Sequence, residues 1–254
     1  MMETAIIPLL ISSAAVYLLA GILFLLHKTR AAGVVAGLAW LVNLAVIVLN
    51  GLIVRDIPLG NMYQVQVVLS LCFLPLFFLL GSREKLDWTG VYFAFASALP
   101  MIGAVFMDKQ AAWKRMPALQ SNWFVPHVLA YMISYALCAV SFIMLIRLWC
   151  SKEQGELRRA IDQILRTALP FMTFGMLSGA LWAEEAWGQY WSWDAKEVWS
   201  LITWGLYLVY FHCRKSSWRR NADWAHLMAF LALLTTFFLV NLLPKLGSLL
   251  HSYA

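Results

Sequence analysis

Apolar residues run along this chain in eight long stretches separated by short polar segments, approximately over residues 5–26, 32–54, 64–81, 89–107, 124–149, 169–186, 197–213 and 226–243. Most approach the roughly 20 residues that a helix rising about 1.5 Å per residue needs to cross a hydrocarbon core of about 30 Å. The pattern predicts an all-α polytopic integral membrane protein with eight transmembrane helices. MMET, ahead of the first run, lacks the basic flank of a secretory signal, and the run is longer than a signal core, so it is expected to stay as a true span. The longest polar connection, SKEQGELRRAIDQILRTALP, mixes charges in a way that predicts a helix lying at the membrane surface. With no internal repeat, low-complexity tract or soluble domain in view, residues 1–254 are expected to form a single membrane domain.

Composition agrees, because a chain of 254 residues that is 62% hydrophobic and 13% charged cannot hide its apolar surface in a soluble core. Charge then orients the spans. Alternate loops carry Lys28 and Arg30, then Arg83 and Lys85, then Lys152, Arg158, Arg159 and Arg166, then Arg214, Lys215, Arg219 and Arg220. The intervening loops carry only Arg55, then Lys109, Lys114 and Arg115, then Lys196, then Lys245. Short cytoplasmic loops retain Lys and Arg, so both termini are expected on the extracytoplasmic side. The net charge of +6 is then a topology signal and gives no reason to invoke nucleic acid. Cys72, Cys138, Cys150 and Cys213 lie far apart, without a C-x-x-C pair, and are expected to be ordinary apolar residues.

One connection stands out chemically. Residues 187–199 read WGQYWSWDAKEVW, on the extracytoplasmic side between spans six and seven. Trp and Tyr collect at membrane interfaces for their mixed polarity, which accounts for part of this richness. Asp194 and Glu197 have a structural use as a variant capping box at the start of span seven. Yet Trp182, Trp187, Tyr190, Trp191, Trp193 and Trp199 exceed what an aromatic belt supplies, and the excess suggests a platform for something flat. If residues 187–194 are helical, Trp187, Trp191 and Asp194 share one face, a stacking surface edged by a carboxylate. A quinone, a porphyrin or a partner helix would all fit it.

The histidines add a second element, since a neutral imidazole can serve as an axial iron ligand. His127 opens span five and His251 lies in the tail beyond span eight, both on the side of the tryptophan stretch. Each is either a polar anchor or half of a bis-histidine pair gripping a flat macrocycle. His212 sits at the inner end of span seven in LYLVYFHCRK, and His27 and His226 are expected in ordinary interface roles.

WGQYWSWDAKEVWSLITW resembles the tryptophan-rich WWD signature of the cytochrome c assembly proteins, in detail their CcsA (ResC) branch. PLGNMY at 58–63, PALQSNW at 117–123, His127 with the SY at 134–135, YFHCR at 210–214 and LHSY at 250–253 look like CcsA segments in the right order. The resemblance covers roughly residues 55–254. W-S-W-D-x-K-E and the eight-span length fit this branch better than the related CcmC and CcmF proteins.

The resemblance implies a function and a set of site residues. The protein is expected to handle heme b and present it for thioether attachment to the C-x-x-C-H motif of an apocytochrome c, as one subunit of a system II synthase with a CcsB/ResB-type membrane partner. Lyase activity is expected only with that partner. His127 and His251 match the family's external iron ligands. His212 matches its membrane histidine, and the resemblance implies pairing with a histidine from the partner. Trp187, Tyr190, Trp191, Trp193 and Asp194 fall in the family's heme-binding loop. A thioredoxin-like thiol reductant is implied for the client cysteines. The implied setting is a bacterial inner membrane or thylakoid equivalent, with the loop and both termini outside.

The chain departs from the pattern at Ala195, where Pro is usual after the Asp, and at Glu184, where Asn is usual before Glu185. Neither removes a ligand, and the added carboxylate is expected to alter how heme propionates are balanced. Two other readings stay open: a heme carrier without lyase chemistry, as in the CcmC branch, and a quinone-binding or structural subunit of a respiratory assembly.

Overall fold

The computed structural model of the protein describes residues 2–109, 117–151 and 154–239. Among these residues the chain forms eight α-helices in two compact units, 1–116 and 117–254. The first six of these helices in chain order are long and apolar enough to cross a membrane.

The first unit holds α1 (Met2–Leu25), α2 (Thr29–Val54), α3 (Met62–Glu84) and α4 (Gly90–Phe106). Its packing inverts that of a soluble bundle. Ala32, Ala36, Ala39, Asn43, Val46 and Asn50 of α2 are buried at alternating spacings of four and three, whereas Val34, Leu38, Leu41, Val48 and Leu52 are exposed. Lipid solvates the outer apolar face as well as a protein core would, so the inward seam is selected for small residues that let backbones approach and for polar groups that find partners. Ser13 donates to the Ala39 carbonyl (3.1 Å), Trp40 Nε1 to the Leu71 carbonyl (3.0 Å) and Asn50 Nδ2 to Tyr63 Oη (2.9 Å). The PLGNMY segment starts α3: the Asn61 side chain caps the helix by accepting from Gln64 N–H (2.9 Å), and Gln64 Oε1 accepts from Gly60 N–H (2.7 Å).

The second unit holds α5 (Phe124–Cys150), α6 (Gly155–Trp187), α7 (Ala195–Lys215) and α8 (Ala222–Leu234), which runs on into a π-helical turn at Thr235–Leu239. Helix α5 lies along α6, α7 along α8, and α8 also touches α5. The expected surface helix is not separate, because residues 155–168 are the opening turns of the 33-residue α6. A helix of that length spans about 50 Å, well beyond a hydrocarbon core of about 30 Å, so its charged first turns stand outside the apolar layer. There, Arg214 grips Asp162 through Nη2 and Nε (2.6 and 2.8 Å), and Arg158 reaches Asp223 (2.7 Å), tying α6 to α7 and α8.

The interface role expected for His226 is overturned. The residue is fully buried with Ala222, Ala229, Phe230 and Leu233 on the inward face of α8. Its Nε2 lies 3.2 Å from Ser141 Oγ, with the Tyr207 and Tyr210 rings each 5.7 Å away. Helical periodicity turns this histidine inwards, although its position in the sequence marks a helix end.

Candidate functional site

The aromatic groups gather where α5 begins and α6 ends. Gly175 and Gly179 of α6, one turn apart in GMLSG, open the space that α5 fills. A Cβ on Gly179 would stand 2.5 Å from His127 Nδ1, and one on Gly175 would stand 2.9 Å from the Tyr131 ring. His127 therefore packs directly on the α6 backbone, with Nδ1 2.8 Å from the Gly175 carbonyl. A carbonyl can only accept, so Nδ1 carries the proton, and this backbone bond is the usual way a ligating imidazole is oriented.

Trp182 holds the imidazole from the side. It is 1% exposed, lies nearly parallel to the His127 ring at 5.5 Å, and donates Nε1–H to the Ala118 carbonyl (2.7 Å). That last bond pins the PALQSNW segment to the end of α6, as does a hydrogen bond from Ser121 Oγ to Glu185. Phe124 and Trp187 pack on Trp182 at 5.6 and 4.7 Å.

The tryptophan loop departs from the expected helix. Helix α6 stops at Trp187 because Gly188 takes a left-handed conformation (φ 77°), its N–H closing on the Glu184 carbonyl (2.8 Å). Residues 188–194 are irregular, so Trp187, Trp191 and Asp194 do not share a helical face. A different device holds the loop. Asp194 caps α7 by accepting from Glu197 N–H (2.9 Å), and Glu197 Oε2 accepts from the N–H groups of Ser192 (2.8 Å) and Asp194 (3.3 Å), completing the capping box. Trp193 is held at φ 60°, a conformation costing an L-residue about 1–2 kcal/mol. The result is display: Trp193 is 70% and Tyr190 57% exposed, with Trp191 edge-on to Trp193 at 5.7 Å. Beside them Lys196 is partly buried, and burial pulls its ammonium down to about 8 although the Asp194 carboxylate holds it up.

YFHCR divides by helical geometry. Tyr210 and Arg214, one turn apart, both face Asp162 of α6, the tyrosine through its hydroxyl. His212, two residues from each, points the opposite way and is exposed. The motif thus anchors α7 with two residues and presents the third on its outer surface. His251 lies outside the described residues. Among the described residues no group of three or more His, Cys, Asp or Glu side chains is placed to hold a metal ion.

Sequence reasoning missed Gly175, Gly179 and Trp182 as the seat of His127. The small-x-x-x-small spacing in GMLSG was the available signal for close helix approach.

The family described as Cytochrome C assembly protein matches residues 59–247. The cytochrome c biogenesis protein CcsA of Chlamydomonas reinhardtii is 34% identical over 215 residues, covering 77% of this chain and 60% of that protein. The protein of the same name from Mesostigma viride is 32% identical over 237 residues, 77% of each chain. The chain thus spans less than two thirds of the first of these relatives. Among solved structures, the cytochrome c heme lyase CcmF shares the fold with a TM-score of 0.69 at 19% identity, over 94% of this chain and 46% of that one.

Proposed function

Because the chain belongs to the cytochrome C assembly protein family, we propose that it is an integral membrane protein that handles heme during cytochrome c maturation and presents it for thioether attachment. Heme b is the substrate, an apocytochrome c with a C-x-x-C-H motif the acceptor, and a CcsB-type membrane subunit the other half of the synthase. The observation that carries this reading is the seat of His127. A backbone carbonyl fixes its tautomer, a buried tryptophan fixes its plane, and it belongs to the same helix ends as the tryptophan loop.

In this reading all eight helices span, with both termini and the tryptophan loop on the outer side. His127 and His251 hold the iron axially, while Trp187, Tyr190, Trp191 and Trp193 bury the faces of a ring that is poorly soluble in water. Asp194 keeps the loop in register through its cap. Each client thiol adds across one heme vinyl, sulfur to one carbon and hydrogen to the other, so attachment itself needs no net oxidant. A thioredoxin-like partner keeps those thiols reduced. The histidine of the incoming motif then displaces one of the two axial imidazoles. His212, exposed on α7, suits pairing with a histidine from another polypeptide.

The test is the absorption spectrum, oxidised and reduced, of the chain purified with its CcsB-type partner, compared with a His127→Ala, His251→Ala double variant. The expected result is a six-coordinate low-spin heme that is lost or turned high-spin in the variant, with partial recovery on adding imidazole. An unchanged spectrum overturns the axial assignment. Co-expression with an apocytochrome should yield heme that survives denaturation and extraction; noncovalent heme alone would reduce the role to a carrier.

A further inference from the structure

Helices α6 and α7 and the turn before α8 border a cavity of about 640 Å³, open to the outside, that the heme reading does not use. Its walls carry Arg158, Arg159, Arg166, Arg214, Arg219 and Arg220, against a single lining carboxylate, Asp162. Asp162 is taken by Arg214, and Arg158 is taken by Asp223. Arg219 donates Nε–H to the Arg214 carbonyl, a neutral acceptor. Arg159, Arg166, Arg219 and Arg220 therefore have no carboxylate in a salt bridge among the described residues. Four like charges around one hollow repel one another, and the arrangement is stabilised by an anion in their midst. The residue type narrows the anion: planar guanidinium forks match phosphate oxygens two at a time, which ammonium groups cannot do.

The cavity's level narrows it further. Trp218 adjoins Arg219 and is 66% exposed; Trp224 follows Asp223 and is 64% exposed, with Trp149 packed on it at 5.9 Å. Exposed tryptophans cluster at the boundary between hydrocarbon and water, which puts the hollow at the depth of lipid headgroups. Phosphate there belongs overwhelmingly to lipid, and basic pockets among helices at this depth bind anionic headgroups.

We propose that the arginine-lined cavity between α6, α7 and the turn before α8 is a binding site for the phosphate of an anionic phospholipid. It does not depend on heme, so its failure leaves the heme reading intact.

The test is native mass spectrometry of the purified full chain in a neutral detergent, titrated with dioleoylphosphatidylglycerol or dioleoylphosphatidylcholine. The expected result is a preference for the anionic lipid that falls about a hundredfold in Arg159→Gln/Arg166→Gln/Arg220→Gln, from about fivefold per guanidinium at the membrane surface. The triple Arg→Lys variant keeps the charge needed for insertion and should lose only part of the preference, because the bidentate geometry is gone. A Lys28→Gln/Arg30→Gln/Arg83→Gln control removes the same charge from exposed positions of the first unit and should bind as the parent does. Unchanged preference in the Gln variant, or an equal fall in the control, overturns the site. Displacement of the lipid by equimolar inorganic phosphate overturns the lipid assignment and makes the ligand a soluble oxyanion.

Discussion

Both units bury neutral polar side chains, and they differ in what the more polar helices of the second unit add. The first keeps neutral groups inside: Ser13, Asn43, Asn50, Gln64 and Gln66 are all buried, and its exposed helix faces are mostly aliphatic. The second puts its distinctive chemistry at helix ends and surfaces, with His127 and the tryptophan loop at one set of ends and the arginine cavity at the other. Neutral hydrogen bonds inside a bundle fix register cheaply, whereas charges are kept near water, where their desolvation cost is low and ligands arrive. One unit is organised as scaffold and the other as equipment.

The sharpest way to break this contrast is to remove the buried prop of the equipped unit. Trp182→Ala should cost about 3–5 kcal/mol, as truncation of a fully buried aromatic does, and should also abolish ordered heme binding through His127. Thermal unfolding in detergent and the Soret absorbance check the two effects together; lost stability with normal heme would separate Trp182 from the site.

A smaller effect is expected at the glycines. Gly179→Ala puts a methyl group 2.5 Å from His127 Nδ1, so the imidazole must move, at about 1–3 kcal/mol for an overpacked contact, with weakened heme retention. Gly33→Ala in the first unit meets nothing within 4 Å and should be neutral or slightly stabilising, since alanine favours helix by about 0.5–1 kcal/mol over glycine. Equal behaviour of the two variants in melting and heme loading would erase the distinction.

The smallest effect concerns Lys196. Its ammonium, at about 8 in the folded protein against an ordinary 10.5, makes the unfolded chain the better proton binder between those values. Stability should therefore rise as pH climbs from about 8 towards 10.5, and Lys196→Met should flatten that part of the curve. A melting temperature with the same slope in both proteins would show that Lys196 is not the group responsible.

The apolar runs located the helices closely. The run at 32–54 became Thr29–Val54, that at 64–81 became Met62–Glu84, and that at 197–213 became Ala195–Lys215. In a bilayer an apolar run has few alternatives to helix, so hydropathy is nearly a structural statement. The capping of α7 by Asp194 and Glu197 was equally legible, because a capping box depends on residues three apart. Other features were not. The loop's helical face failed at Gly188, whose left-handed turn ended α6, and the surface helix merged into α6, which runs on through Pro170 without a break. The six arginines spread over residues 158–220 registered only as a topology signal until α6 and α7 brought them around one cavity.

The sequence by itself determined the class of molecule, the places of its helices, the aromatic loop and the family resemblance, all of which rest on composition and on contacts within a few residues. Only the tertiary structure decided which histidine is seated against a backbone carbonyl, which is buried in the core and which faces outward. It also decided that Tyr210 and Arg214 serve Asp162 while His212 does not. Those outcomes depend on which face of a helix meets which neighbour. Helix–helix approach sets that across dozens of residues, through small side chains such as Gly175 and Gly179 whose importance is the space they leave.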